Sequence, residues 1–314
     1  MIDPLAAAVG IGLLGPVVAG PIVAHGLERL PPRVRRATEW FAIGAAVGVA
    51  ILADVLHDGP GAGGGFVYVL AALPGFVTFL VWRSQLASAL VSMAPMYFVI
   101  AILTRDRPTH VPELPLDRAI PLSPAWMLVY GSLYVFVVVL PLLIVRDRGL
   151  IRRAMQAYLL VMTVSYAGFL LYPTFAPRPA DVSGGGFAAW TLRLAYSLDP
   201  PYNCFPSLHV AYAFVSALAC YRVHRGVGAA AVVWAALISV STLFTKQHYV
   251  VDVIAGAAAA GVAYVLFLRR CSPEAQTRDR ERAPARAAIA AALFALMVAG
   301  FWAAYRIVIK SISV

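Results

Sequence analysis

Two uninterrupted apolar runs dominate this chain: AWMLVYGSLYVFVVVLPLLIV at 125–145 and VGAAAVVWAALISVSTLF at 227–244, neither with a charged residue. About 18 or more such residues in a row read as a bilayer-spanning helix, because roughly 20 are needed to cross the hydrocarbon. The expected fold is therefore all-α, a polytopic membrane protein. Composition agrees: charged residues make up 13% of the 314 and hydrophobic ones 61%, with a mean hydropathy of +0.80. A soluble domain carries roughly 25% charged residues.

Similar runs recur along the whole chain. On the length criterion they give about ten spans, near 4–24, 39–57, 65–82, 85–103, 125–145, 154–173, 207–222, 228–245, 248–268 and 287–309. The first begins Met-Ile-Asp and lacks a basic flank, so it is expected to stay as a span and not to be cleaved as a signal peptide. No soluble domain and no internal repeat is visible.

The net charge of +10 has a pattern. Arginines cluster at 29–36, 146–153, 221–225 and 269–286, and the span order puts all four on one side of the membrane. The positive-inside rule makes that side cytoplasmic. The charge therefore orients the protein, and no nucleic-acid partner is expected. Of the three cysteines, Cys220 falls within a span, Cys271 on the cytoplasmic side and Cys204 outside, so no intramolecular disulfide is implied.

The opposite face holds the residues that look like chemistry. YPTFAPRP (172–179) leaves one span, FPSLH (205–209) enters the next, and TKQHYVVD (245–252) joins two more. His248 and Asp252 are four apart and share a helix face. An aspartate holding Nδ1–H leaves Nε2 free as base or nucleophile. An acidic residue in or near hydrocarbon is itself a functional signal. Pro206 and Ser207 open a helix beside His209, and a helix start with a serine hydroxyl can cradle phosphate. Arg178 and Lys246 stand against the positive-inside bias and supply cations for an anion. No further carboxylate or cysteine cluster is evident on that face, so no metal and no other cofactor is expected. Residues 184–198, GGGFAAWTLRLAYSL, place Phe187, Trp190 and Leu194 at helical spacing, as in a helix lying in the interface.

These motifs resemble the type 2 phosphatidic acid phosphatase superfamily, whose pattern is K-x6-R-P, P-S-x-H and S-R-x5-H-x3-D. Arg178-Pro179 matches the end of the first motif, Pro206-Ser207-x-His209 the second, and Ser241, His248 and Asp252 the third. Leu171 and Thr242 stand where the pattern has lysine and arginine. The wording of YNCFPSLHV and TKQHYVVDVIAG is more similar to the inositol phosphorylceramide synthase branch, with sphingomyelin synthases further away. Fewer cations suit a phosphodiester, which carries one negative charge, better than a nearly dianionic monoester. His110 and the arginines of 104–118 are further sources of charge.

The resemblance implies a six-helix catalytic core at 85–268, with transmembrane helices at 1–84 before it and a basic cytoplasmic loop and final span at 269–314 after it. It also implies a metal-free reaction through phosphohistidine. His248 would be the nucleophile oriented by Asp252, and His209 the general acid and then base. Arg178, Lys246 and Ser207 would bind phosphate. The partners would be membrane lipids, a phospholipid donor and a lipid alcohol or water as acceptor; an oligomer is compatible with the helices outside the core. The expected function is a lipid phosphotransferase, with a lipid phosphate phosphatase as alternative and a non-catalytic lipid transporter as a third reading. A transporter would place its charges near the bilayer midplane, whereas here they lie at one interface. Arginine-rich, lysine-poor usage points to a bacterial inner membrane with the site on the extracytoplasmic side.

Overall fold

The computed structural model describes Tyr97, Ile100, Ala101, Thr104 and residues 107–312 apart from 180, 183, 200 and 271–276. The expected spans at 4–24, 39–57 and 65–82 lie outside the described residues, as does most of 85–103. Leu103–Val314 forms one of two compact units, the other being Met1–Ile102. All the elements below belong to the second unit.

Eight helices follow in order: α1 (Pro115–Ala119), α2 (Pro124–Ile144), α3 (Arg148–Leu171), α4 (Phe187–Leu198), α5 (Leu208–Val223), α6 (Arg225–Phe244), α7 (Val250–Leu268) and α8 (Thr277–Ile312). Among the described residues there is no strand, only two isolated bridges. Among the described residues, five helices are long and apolar enough to cross a membrane: α2, α3, α6, α7 and the Asp279–Ile307 part of α8. Their outward faces carry large apolar side chains such as Leu142, Val233, Ile254, Leu266 and Leu296, all more than half exposed. Such a band would be a liability in water and is the matching surface for lipid.

Helix ends follow local chemistry. Asp147 accepts the amide of Leu150 at 2.7 Å and starts α3, so the arginines of 148–153, expected in a loop, form its first turns. Likewise, the basic stretch expected as a loop over 269–286 enters α8 at Thr277. His224 ends α5 and caps α6 through Nδ1, which accepts the amide of Val227 at 3.1 Å. Pro141 lies in the last turns of α2, and a wider π-type turn at Val135–Val139 precedes it. A proline cannot donate to the ladder, and local rewinding absorbs the defect.

Helix α5 is the central strut, packed by α2, α3, α6 and α7. Its 16 residues reach only about 24 Å at 1.5 Å each, less than a full span. The helix expected at 207–222 is present at Leu208–Val223, among the shorter apolar helices. Its buried positions include four alanines on more than one face, which lets neighbours approach all round.

Three outer segments are tied by backbone hydrogen bonds. His110 N–H donates to Pro173 O at 2.8 Å, Phe175 N–H to His110 O at 2.9 Å and Ala176 N–H to Pro201 O at 2.9 Å. Asp117, buried on α1, accepts the amide of Leu114 with Oδ2 and the first amide of α7, Val250, with Oδ1, each at 2.8 Å. Replacing it with alanine strands these donors, at a cost of about 1–3 kcal/mol. D117A is therefore expected to lower the thermal midpoint in detergent by several degrees. D117N, which keeps an acceptor oxygen, should lose less, and equal losses would contradict the capping role.

Candidate active site

The outer end of α5 is pinned against α7. Ser207 N–H donates to Asp252 O at 3.1 Å, and the Ser207 side chain caps α5 by accepting the amide of Val210 at 3.3 Å. A Cβ built on Gly256 would lie 2.4 Å from Ser207 O, and one on Gly168 of α3 would lie 2.6 Å from Pro206 Cδ. Only glycine permits both approaches. Three helices thus converge on residues 205–207 and fix the position of His209, two residues further on.

His248 comes from the α6–α7 connection. Gln247 and His248 direct their amides to Thr242 O, at 2.8 and 3.3 Å. Asp252 Oδ2 accepts the Tyr249 amide at 2.9 Å and lies 3.4 Å from His248 Nδ1. That contact makes Nδ1 the protonated nitrogen and leaves the lone pair on Nε2. His248 Nε2 lies 3.0 Å from Nδ1 of His209, with the ring centroids 5.3 Å apart. The two imidazoles and Asp252, expected to converge from separate motifs, are brought together. His248 is buried, 6% exposed, and burial pushes its pKa down to about 4, with the Arg178 charge adding to that and Asp199 opposing it. At neutral pH it is an uncharged imidazole.

Beside His248 opens a cavity of about 390 Å³. Its charged lining residues are Glu113, Asp117, Arg118, Arg178 and Lys246, so three cations against two carboxylates leave one net positive charge. Arg178 lies over the ring of Tyr196 at 4.8 Å and donates from Nη1 to Lys246 O at 2.7 Å. Its Nε is buried without a hydrogen-bond partner. A guanidinium N–H without a partner is a donor that an anion can use. Lys246 donates from Nζ to Asp117 O at 3.0 Å and Ile120 O at 2.5 Å, which uses two of its three protons. Ser207 is fully buried and does not line the cavity; its structural part is the cap on α5. His110 also stands apart, stacked on Tyr172 at 4.2 Å. At the two divergent positions, Leu171 is 83% exposed and Thr242 bonds its own helix at Ser239 O.

Four contributors were not placed at the site by the sequence reading, which had Arg118 only among the arginines of 104–118 as a further source of charge. Arg118 reaches the cavity rim while paired with Glu113 at 2.9 Å. Tyr196 holds Arg178 through its ring and donates to Thr245 O at 2.7 Å. Asp199 Oδ2 lies 4.0 Å from His209 Nε2. Its signal was present as one of the two acidic residues of loop 174–206, with Asp181, ten positions before His209. The fourth, Cys204, corrects an expectation: its Sγ and ligand atoms of His248 and Asp252 lie within 4.8 Å of one another, a cluster of the metal-binding type on this face. The donor set fits a metal poorly. Burial raises the Cys204 thiol, and the thiolate is the ligand form. Nδ1 of His248 is already engaged by Asp252.

Residues 107–266, half of the chain, match the PAP2 superfamily. The chain belongs to the PAP2 superfamily. The matched segment contains Arg178, Asp199, Ser207, His209, Lys246, His248 and Asp252, and leaves α8 beyond it. A PA-phosphatase related-family protein of Dictyostelium discoideum is 26% identical over 111 residues, covering 32% of this chain and 19% of the relative. The chain thus spans about a fifth of that curated protein's length. No solved structure matches. Superfamily membership and the apolar helices make this an integral membrane protein, and both comparisons support an enzyme of the phosphatase or phosphotransferase class.

Proposed function

We propose that this PAP2 superfamily protein is a lipid phosphotransferase that moves a phospho-headgroup between lipids through a phosphohistidine, in the manner of the phosphorylceramide synthases. The observation that carries the reading is His248 Nε2, unprotonated and 3.0 Å from His209 Nδ1, at the edge of a cavity with one net positive charge. A phosphodiester brings one negative charge and matches that cavity; a monoester near its dianion leaves charge uncompensated in a partly buried site.

In this reading His248 Nε2 attacks phosphorus, Asp252 holds the ring, and His209 protonates the leaving oxygen and later deprotonates the acceptor. Arg178 Nε, the remaining proton of Lys246 and the Arg118 guanidinium stabilise charge on the equatorial oxygens. No metal or other cofactor takes part. The donor and acceptor are membrane lipids, and the site faces the extracytoplasmic side of a bacterial inner membrane.

The test is a substrate panel with the purified full chain in vesicles. Phosphodiester lipids with a ceramide or diacylglycerol acceptor should yield a new phospholipid in the presence of EDTA. Free phosphate from lipid monoesters as the dominant product would make the protein a phosphatase instead. Loss of activity in EDTA would overturn the metal-free mechanism. No turnover at all, with lipid still bound after H248A, would point to transport.

A further inference from the structure

His209 touches a carboxylate at the end away from His248. Asp199 closes α4, with its amide donating to Ala195 O at 2.9 Å, and presents Oδ2 4.0 Å from His209 Nε2. The two side chains are only 15% and 18% exposed, so their attraction is weakly screened. Carboxylates therefore flank the imidazole pair on both sides, in the order Asp199, His209, His248, Asp252.

Hydrogen-bond logic assigns the protons. Asp252 takes the Nδ1–H of His248, so Nε2 of His248 must accept, and Nδ1 of His209 must donate. A neutral His209 in that tautomer would turn its Nε2 lone pair toward the Asp199 carboxylate, which is repulsive. An imidazolium satisfies both ends. Burial pushes the pKa of the ring down to about 4, with His248 and Arg178 adding to that; Asp199 is the group that opposes it, and the Tyr130 ring lies at 5.7 Å. We infer that Asp199 is a positioning residue that favours the charged, proton-donating form of His209 against the burial that opposes it, with Nε2–H directed to the carboxylate and Nδ1 left to exchange its proton with the substrate. The inference rests on the phosphotransfer reading.

Helix α4 carries both parts of the arrangement. Three residues before Asp199, the Tyr196 hydroxyl fastens the same helix to Thr245, in the connection that bears His248. The steps balance. As the His248 Nε2–phosphorus bond forms, the phosphorus–oxygen bond to the leaving group breaks, and that oxygen takes the proton from His209 Nδ1. The acceptor hydroxyl then returns a proton to Nδ1 as its oxygen bonds phosphorus and the nitrogen–phosphorus bond breaks.

A leaving-group comparison tests this role. Phosphoenzyme formation in the first turnover is followed with two phosphodiesters of the full-length enzyme, one losing an alkoxide and one losing p-nitrophenolate. An alkoxide needs the proton, whereas nitrophenolate departs without it. Asp199→Asn is expected to slow the alkyl ester about 100-fold, within the usual range for a lost general acid, and to slow the nitrophenyl ester at least ten times less. Equal slowing of both esters would overturn the assignment and leave Asp199 a packing residue. Asp199→Glu, which keeps the carboxylate, should return the alkyl-ester rate to within about tenfold of the unmodified enzyme. D199E as slow as D199N at an unchanged melting temperature would also overturn it. Were the unmodified enzyme to form no phosphoenzyme from either ester, the phosphotransfer reading itself would fail.

Discussion

His248→Gln abolishes measurable transfer, with a loss of about 10⁴-fold or more, and abolishes acid-labile labelling of the protein by a radioactive phospho-donor. Glutamine keeps a polar side chain of similar reach but has no nucleophilic lone pair of comparable basicity. Loss of a covalent nucleophile is among the largest single-residue effects in catalysis. Label that persists in H248Q would move the nucleophile elsewhere. The same residue predicts the acid limb of kcat/KM. Its pKa is held at about 4 by burial, below the ordinary 6.5, so the neutral, attacking form persists as pH falls through 6.5 and is lost only on approach to 4. A phosphodiester donor keeps its single charge throughout that window, which makes the limb readable. Linkage has the same sign: the unfolded imidazole protonates near 6.5 while the folded one does not, so stability from this group is complete above 6.5 and declines as pH falls toward 4. An acid limb centred at 6.5 would mean that His248 is not shielded as the structure describes.

The second large effect belongs to a residue with no chemistry. Gly256→Ala places a methyl 2.4 Å from the backbone oxygen of Ser207, and backbone cannot swing aside. Overpacking of this kind costs about 1–3 kcal/mol, and the relief available is to push the start of α5 away from α7. That displacement carries His209 away from His248. A misplacement of about 1 Å is enough for a 100-fold loss of rate, so activity should fall further than stability. Gly261 on the same helix is the control, since a Cβ there meets nothing within 4 Å. G261A should keep full activity and gain about 0.5–1 kcal/mol from helix propensity. G256A with an unchanged turnover rate would show that the α5–α7 contact does not set the imidazole spacing.

Much of the site was legible in sequence because its parts are local. His248 and Asp252 lie one helical turn apart, Pro206-Ser207 announces a helix start, and the apolar runs mark where helices cross lipid. Each needs only a spacing rule. What escaped depends on loops meeting in space. Arg118 lines the cavity because α1 is docked through Asp117 onto the first amide of α7, far along the chain. Asp199 reaches His209 because α4 folds back over the site, and Cys204 arrives through the bonds its segment makes to Thr174. Lys246 lines one cavity with His248, but its hold on two carbonyls of the α1 region could not be anticipated from position. The short α5 differs for another reason: burial by protein looks, in composition, like burial by lipid.

At 3.0 Å, the gap between the two imidazole nitrogens has no room for a phosphorus atom with an oxygen on its far side. The resting enzyme is thus its own competitor: each ring occupies the place where the other's substrate must go. An arriving headgroup displaces that contact with several anchored charges at once, whereas a lone water molecule brings nothing to set against it. Such a latch keeps the nucleophile covered between turnovers and favours whichever visitor is large and anionic enough to prise it open.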